Sequence, residues 1–316
     1  MERRRRRPER EYRERRYPEQ RYPERRYPER RYPEERAPRR RKTTVGDVLR
    51  MLLMIAALCV FCFSAYQLYG FYQEYKAGTD EYSGLENEYA AGEETEDLAA
   101  LEEAQTVSGQ EMVTVVENGR EVSLPVMNNP VNFGELSGVN PDIVGWIRIR
   151  ALDLSYPVVQ AEDNDYYLHT TFEGASNIAG CIFMNCYNKP DYTDQNTIIY
   201  GHNMRNGSMF GTLSDFGEEE VYNKSKYFWI FTPEFIYQYR IFSASVVSQT
   251  GLTYQTGFSH EDFQEFIDTA FSNSVVDNTG LQVTEDDRIV TLSTCTGDYS
   301  TRFVVMGRLA QVYAAR

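Results

Sequence analysis

The sequence predicts a mainly β domain, a closed antiparallel barrel or a sandwich, preceded by one membrane-spanning helix. Three observations support this. Residues 113–316 contain about eight short segments that are rich in β-branched and aromatic residues and are separated by turn residues. These segments lack the regular strand and helix alternation of a parallel sheet, so a barrel or a sandwich is expected. An uncharged apolar run precedes them.

Charge is distributed unevenly along the 316 residues, whose net charge is −14. Residues 1–42 carry about 19 basic and about 9 acidic side chains, so the remainder is strongly acidic. The repeat Arg-Arg-Tyr-Pro-Glu begins at Arg15, Arg25 and Arg30. Recurrent proline and dense charge predict a disordered basic arm over 1–44. Interleaved Arg and Tyr would also suit nucleic-acid binding, but the apolar segment that follows favours a cytoplasmic topology signal or contact with anionic lipid.

The apolar segment Met51–Tyr72 contains no charged residue and is long enough to cross a hydrocarbon core of roughly 30 Å. It predicts a retained membrane anchor within 45–73, because it is longer than a signal-peptide core and no small-residue cleavage site follows it. Basic residues crowd its N-terminal flank and acidic residues follow it. The positive-inside rule therefore predicts a single-pass plasma-membrane protein with a cytoplasmic N-terminus and an extracellular C-terminal domain.

Residues 74–112 are rich in Glu, Ala and Gly, which predicts an acidic, partly helical extracellular spacer, and the folded domain is expected over 113–316. The predicted strands are Val144–Ile149, Tyr156–Gln160, Gly180–Asn185, Thr197–Tyr200, Phe228–Phe231, Phe235–Val247, Arg288–Leu292 and Phe303–Tyr313.

Two helices are predicted within this domain. A short one begins at Phe133 and ends before Pro141. A longer one begins after an N-cap at Ser259, and its apolar residues recur at helical spacing, which indicates core packing. The apolar positions are Phe263, Phe266, Ile267, Ala270 and Phe271.

The five cysteines do not suggest a disulfide framework. Cys59 and Cys62 lie in the apolar segment, and an extended strand would hold Cys181 and Cys186 roughly 16 Å apart. The latter two are therefore interpreted as packing residues. No pairs of Cys or His have the spacing of a zinc site, so neither a metal nor another cofactor is expected.

A β-hairpin is predicted over Asp287–Leu309, with its turn at Gly297 and Asp298. Antiparallel pairing would bring Cys295, at the end of the first strand, beside Arg302, at the start of the second. A guanidinium favours a thiolate and can stabilise an oxyanion, so this pair could form a nucleophilic site. The alternative is a structural cysteine beside a solvated arginine.

Three histidines are present. His260 follows a helix cap, which indicates a surface role, and His169 lies in a polar loop, where a structural or solvated role is expected. His202 follows the strand that ends at Tyr200, with Gly201 between them. A functional role is possible at this strand end, and the alternative is a loop histidine that hydrogen-bonds its neighbours. His202 and Cys295 are 93 positions apart, so their spacing does not show that they meet.

These residues carry a resemblance to the class B sortases, membrane-anchored cysteine transpeptidases of Gram-positive bacteria. The resemblance spans about Asn132 to the C-terminus. Its motifs are Leu292–Cys295 before an arginine-led strand, Tyr200–Met204, Asn140–Ile147, Tyr156–Gln160 and Asp163–Leu168.

The resemblance implies an eight-stranded β-barrel with Cys295 as nucleophile, His202 as acid and base, and Arg302 as the cation that binds substrate or oxyanion. Arg308 is the alternative cation, because the loop from Cys295 to Arg302 is short. The implied substrates are surface proteins bearing a C-terminal sorting signal, and the implied acceptor is an amine of a peptidoglycan precursor or a pilin. Two other functions are retained as alternatives: a membrane-tethered cysteine peptidase that releases product to water, and a non-enzymatic ligand-binding barrel.

Overall fold

The structure is a computed structural model that describes residues 44–90, 98–103, 111–117 and 119–316. The basic arm predicted over 1–44 lies outside these residues except for Thr44, and so do two stretches of the predicted spacer, 91–97 and 104–110. Contacts within the chain divide it into two units, Met1–Cys59 and Val60–Arg316, and the second contains all the described strands. The first unit is described from Thr44 and contributes the beginning of a long helix.

The helices are α1 (Val45–Leu85), which continues as a π-helical turn over Glu86–Ala90, α2 (Leu98–Glu103), α3 (Phe133–Val139), α4 (Glu219–Lys224) and α5 (His260–Ser272). α1 contains the apolar segment and is the one described helix whose length and mean hydropathy suit a membrane span. It extends beyond Tyr72 into the sequence that was predicted to be spacer.

Ten strands occur in the described part of the chain: β1 (Met112–Glu117), β2 (Arg120–Met127), β3 (Ile143–Ile149), β4 (Leu154–Val159), β5 (Ile182–Met184), β6 (Asn196–Tyr200), β7 (Tyr227–Phe231), β8 (Phe235–Ser248), β9 (Ile289–Cys295) and β10 (Thr301–Ala315). The last eight match the predicted strands one for one. The hairpin β1–β2 was not predicted, and it adds to the barrel through β10.

The eight strands β3–β10 close into a barrel in the order β3-β4-β5-β6-β9-β10-β8-β7, and β7 pairs with β3 to complete the ring. A barrel rather than a sandwich is therefore the fold. Two neighbouring pairs, β4–β5 and β6–β9, are parallel, which differs from the fully antiparallel arrangement expected from the sequence. Parallel neighbours require long crossover connections, and the chain between β6 and β9 is long enough to supply one.

Helix α5 lies within that crossover and supports the outside of the barrel. Ser259 caps it by accepting a hydrogen bond from the backbone N–H of Asp262, as predicted. Its buried side chains Phe263, Phe266 and Ile267 pack in one cluster with the β9 and β10 side chains Ile289 and Val304. Each such side chain contributes about 1.5–3 kcal/mol when fully buried, so this contact holds β9, which ends at Cys295, and β10, which begins at Thr301.

Candidate active site

The thiol and the guanidinium lie side by side at one rim of the barrel. Cys295 is the last residue of β9 and is paired in register with Arg302, the second residue of β10. Cys295 is exposed, whereas the preceding residues of β9 are buried. The hairpin prediction for the position of this pair is confirmed, because antiparallel pairing places the end of one strand beside the start of the next.

The turn between these strands is fixed by its own hydrogen bonds. Gly297 has a φ of 96°, a conformation that side-chain-bearing residues rarely adopt. Asp298 Oδ1 accepts from the backbone N–H of Ser300 at 2.8 Å, and the hydroxyls of Thr296 and Thr301 are 2.6 Å apart. The short connection therefore holds Arg302 opposite Cys295 with little freedom.

The histidine reaches the same rim because β6 runs parallel to β9. Tyr200 is paired with Ser293, and the Gly201 N–H donates to the Ser293 carbonyl at 3.1 Å. The Thr294 hydroxyl then donates to the Gly201 carbonyl at 2.9 Å. Neighbouring parallel strands end at the same edge of a sheet, so His202, just after the end of β6, lies at the same rim as Cys295, at the end of β9. The separation of 93 positions is thus bridged by one strand pairing.

Gly201 is required at this junction. A Cβ atom there would lie 2.4 Å from Ile182 Cδ1 and 2.7 Å from the Phe210 ring, so any larger residue would displace core side chains. Asn203, two residues after Gly201, donates from Nδ2 to the Cys295 carbonyl at 2.7 Å. Sequence reasoning did not identify Asn203 as part of this site, since its contact depends on the long-range strand pairing.

The His202 ring is half-buried and is held by a backbone carbonyl. Its Nε2 lies 2.7 Å from the Leu168 carbonyl oxygen, and because a carbonyl only accepts, Nε2 carries a hydrogen. Burial lowers the pKa of His202 below 6.5; the Leu168 hydrogen bond opposes this change and the nearby His169 reinforces it. The His169 ring stacks on that of His202, with ring centroids 6.0 Å apart, a contact compatible with the structural role expected for it.

The Arg302 guanidinium makes its described hydrogen bonds to neutral acceptors. Nη2 donates to Gln249 Oε1 at 3.2 Å, and Nη1 donates to the carbonyls of Tyr299 and Thr301 at 3.1 and 2.8 Å. Such acceptors orient the group and leave its positive charge uncompensated. Burial raises the pKa of Tyr200 to about 12, and the nearby positive charge of Arg302 opposes this rise.

These groups enclose a cleft of about 210 Å³. Cys295, His202 and Arg302 all line it, and the other lining residues are Asn164, Leu168, Phe183, Tyr200, Gly201, Ser293 and Thr294. Tyr254 lies just behind this wall, where its hydroxyl is 3.0 Å from that of Ser293. A thiol, an imidazole and a guanidinium converging on one cleft have the chemical groups for nucleophilic acyl transfer.

Arg308 and His260, the other residues considered from the sequence, do not line this cleft. Arg308 pairs in register with Ile289, at the opposite end of β9 from Cys295, and its Nη1 is 3.4 Å from Asp287 Oδ1. His260 is exposed on α5, and its hydrogen bond to Glu285 raises its pKa, in keeping with the predicted surface role.

The other cysteines of the barrel are free thiols. Cys181 is buried, and burial raises its pKa to about 12, while Cys186 is partly exposed. Among the described residues no cluster of Cys, His, Asp or Glu is arranged to hold a metal ion.

Comparison with known proteins gives a consistent result. The family model of the sortase domain matches residues 147–310, which include all three cleft candidates. Sortase B of Staphylococcus aureus is 36% identical over 184 residues, which cover 57% of this chain and 75% of that protein.

Solved structures resemble the chain over the same region. The Staphylococcus aureus sortase B–substrate complex has a TM-score of 0.53 and 36% identity, covering 57% of this chain and 84% of that one. A sortase B complexed with triglycine has the same TM-score and identity, and the match covers 57% of this chain and 85% of that one. The described barrel, the matched domain and these relatives together show that the chain belongs to the sortase family and that its relatives there are B-class sortases.

Proposed function

We propose that this chain is a membrane-anchored cysteine transpeptidase in which Cys295 is the nucleophile, His202 the acid and base, and Arg302 the oxyanion-binding cation. One observation carries the proposal: these three side chains, from three separate strand ends, line a single cleft at the barrel rim. Their types and positions also match the motifs through which the sequence resembles class B sortases.

In the first half-reaction the Cys295 thiolate attacks the carbonyl carbon of the scissile peptide bond. Arg302 stabilises the negative charge that develops on the carbonyl oxygen, since its charge is not neutralised by a carboxylate among its described partners. Protonated His202 gives its proton to the departing amine as the C–N bond breaks, and a thioester on Cys295 results.

In the second half-reaction an amine attacks the thioester carbonyl. His202 accepts a proton from that amine, the C–S bond breaks, and the Cys295 thiolate is restored. The lowered pKa of His202 favours the neutral imidazole, the form that can accept this proton. The two halves need no cofactor, because proton transfer and charge stabilisation are supplied by protein side chains.

The proposed substrates are surface proteins with a C-terminal sorting signal, and the proposed acceptor is an amine of a peptidoglycan precursor or a pilin. Relatives solved with a substrate and with triglycine support binding of a peptide and of a short amine nucleophile at this fold. No nucleic-acid partner is proposed.

The proposed location is the plasma membrane, with α1 as a single-pass anchor, the N-terminus in the cytoplasm and the barrel outside. The apolar helix α1 supports the anchor, and the basic residues that precede it support the orientation. Protease added to intact cells should degrade the barrel and spare an epitope fused to the N-terminal arm; the reverse pattern would contradict the orientation.

The enzymatic test uses the full chain in detergent with a library of fluorogenic sorting-signal peptides, with and without triglycine. Transpeptidation predicts a ligated product that contains triglycine, identified by mass spectrometry. Hydrolysed peptide alone, at every triglycine concentration, would favour a peptidase. No cleavage, together with no reaction between Cys295 and a thiol-specific substrate mimic, would favour a non-enzymatic ligand-binding barrel.

A further inference from the structure

Helix α1 continues past the apolar segment and packs directly on the catalytic domain. Asn177 donates from Nδ2 to the Glu74 carbonyl at 2.9 Å, only two residues after the segment ends at Tyr72. Further along the helix, a Cβ on Gly78 would already lie 3.2 Å from Ala179 Cβ. Tyr82 is buried; its hydroxyl donates to the Gly180 carbonyl and lies 3.2 Å from Cys181 Sγ. The domain is therefore held within a few residues of the membrane-spanning segment.

A groove of about 720 Å³ lies at this junction. Its walls are the end of the apolar segment, the next two turns of α1, and two loops of the catalytic domain. The lining residues are Leu68, Phe71, Tyr72, Tyr75, Lys76, Thr79, Asp80, Ile178, Arg205 and Asn206. With α1 as the proposed anchor, Leu68 and Phe71 lie in the membrane span, which places Ile178 and Arg205, on the same groove, near the bilayer surface.

We propose that this groove binds a membrane phospholipid, with an acyl chain along Leu68, Phe71 and Ile178 and the headgroup phosphate at Arg205. The proposal rests on α1 being the membrane anchor of the proposed function. Tyr72 and Tyr75 add the aromatic rings that are enriched at membrane–water interfaces, where one edge is apolar and the other is hydrated.

The charges at the groove favour a phosphate at Arg205. Lys76 forms an ion pair with Asp80 of the next helical turn, so these two charges offset each other. Arg205 is exposed, and the described part of the chain places no carboxylate within ion-pair distance of it. An uncompensated guanidinium at the level of the headgroups is suited to a phosphate, which it can contact through two parallel hydrogen bonds.

The groove adjoins the candidate active site through the chain itself. Arg205 and Asn206 follow His202 by three and four residues, and Asn206 donates from Nδ2 to the Thr79 hydroxyl of α1 at 3.3 Å. A bound lipid would thus contact the loop that continues from the acid–base residue. The inferred site places the cleft close to the membrane surface rather than at the end of a long tether.

The test reconstitutes the full chain in phosphatidylcholine nanodiscs that contain a phosphatidylglycerol with a photoactivatable group at the glycerol end of one acyl chain. After irradiation, crosslinked peptides are mapped by mass spectrometry. We expect crosslinks to peptides that contain Ile178 or Arg205, besides those to the span. Arg205→Glu should lower the crosslinking of these domain peptides about fivefold or more, because one basic group near an anionic surface changes binding by about that factor.

Lys224→Glu is the matched control, since it makes the same charge reversal at an exposed position on α4, and we expect it to change nothing. Crosslinks confined to the span, or equal yields in the parent and Arg205→Glu, would overturn the proposal. Failure of the chain to integrate into nanodiscs would overturn it together with the anchor. Triglycine ligation of a soluble peptide in detergent is measured separately, so a failure of the catalytic proposal is distinguishable.

Discussion

The two ends of the β9–β10 ladder carry an arginine each, and the surroundings of these arginines differ. At the cleft end, Arg302 is paired with Cys295 and bonds to an amide oxygen and two backbone carbonyls. At the far end, Arg308 is paired with Ile289 and forms an ion pair with Asp287. The strand between the two arginines spans roughly 20 Å, so only one of the two can act on a substrate bound to Cys295.

The contrast shows that one strand ladder can hold an arginine with neutral partners at one end and an ion-paired arginine at the other. Neutral acceptors hold the Arg302 guanidinium in place without neutralising it, whereas a carboxylate largely offsets the charge of Arg308. The geometry therefore favours Arg302 over Arg308 for the proposed oxyanion role, a choice that the short intervening loop had left open in the sequence.

Replacement of the nucleophile should give the largest effect. Cys295→Ala is expected to abolish turnover while the melting temperature changes little, because the thiol is exposed at the end of a strand. Cys186→Ala, at a partly exposed cysteine outside the cleft lining, is the control and should retain activity. Turnover is measured by peptide cleavage and triglycine ligation. Normal cleavage by Cys295→Ala would exclude it as the nucleophile.

The second-largest effect on activity is expected from substitution of Arg302, and Arg308 is the comparison. Arg302→Lys is expected to lower kcat/KM about 10²-fold, since an ammonium cannot reproduce the planar fork of a guanidinium at a developing oxyanion. Arg308→Lys should stay within about twofold. Steady-state kinetics on one peptide give both values, and the opposite ranking would transfer the proposed role to Arg308.

The neutrality of the Arg302 partners can be tested directly. Gln249→Glu should lower kcat/KM about tenfold, because it places a carboxylate beside the guanidinium and offsets its charge. Gln249→Ala removes one orienting bond and should cost only a few-fold. Gln311→Glu, the same change on β10 beyond Arg308, is the control. A loss with Gln249→Ala that equals or exceeds the loss with Gln249→Glu would contradict a requirement for uncompensated charge.

The half-buried His202 of the cleft should make stability depend on pH. Folding lowers the pKa of His202 below its ordinary value of 6.5, so the folded state binds this proton less readily than the unfolded state. The resulting stabilisation is complete above that value and is lost as the pH falls towards the lowered pKa. His202→Gln should therefore show a smaller fall in melting temperature between pH 7.5 and 5.5 than the parent. An unchanged difference would argue against a depressed pKa.

The smallest effect is expected at the far end of the ladder. Arg308→Gln removes the ion pair with Asp287, which is partly exposed, and should cost about 0.5–1 kcal/mol. For a domain of this size that is about 1–4 °C in melting temperature. Arg302→Gln, which breaks no ion pair among the described residues, should shift it less. Differential scanning fluorimetry of the two variants compares them, and a larger shift for Arg302→Gln would reverse the assignment.

Local patterns were sufficient to predict most elements of the fold. The eight barrel strands, α3 and the Ser259 cap depend on residues that are close in sequence, and all of them were predicted. The hairpin β1–β2 was missed, although the Asn118-Gly119 pair between alternating valines is a strong hairpin signal. The sequence analysis interpreted this region only as the start of the folded domain and predicted no strand in it.

The assembly of the site was not predictable in the same way. The residue types at Cys295, His202 and Arg302 pointed to chemistry, but the parallel pairing of β6 with β9 joins segments far apart in sequence. No short-range pattern encodes such a pairing, and the contacts of His169 and Asn203 with the site depend on it. Gln249 reaches Arg302 through a second long-range pairing, that of β8 with β10. The docking of α1 on the barrel was likewise missed. Tyr75, Tyr82, Leu85 and Tyr89 recur at helical spacing and pack on the core, but they lie in an acidic stretch that was interpreted as a spacer.

The cysteines of the barrel differ in exposure, so an alkylating reagent can be used to measure the fraction of chains with a reactive Cys295. Cys295 is exposed, while Cys181 is buried with a pKa of about 12 and stays a protonated, unreactive thiol at pH 8. A brief exposure to limiting alkylating reagent should therefore modify Cys295 ahead of Cys181, with Cys186 as the intermediate case. The parent chain can thus be used to titrate the proposed nucleophile, by comparing the fraction alkylated at Cys295 with the fraction of activity lost.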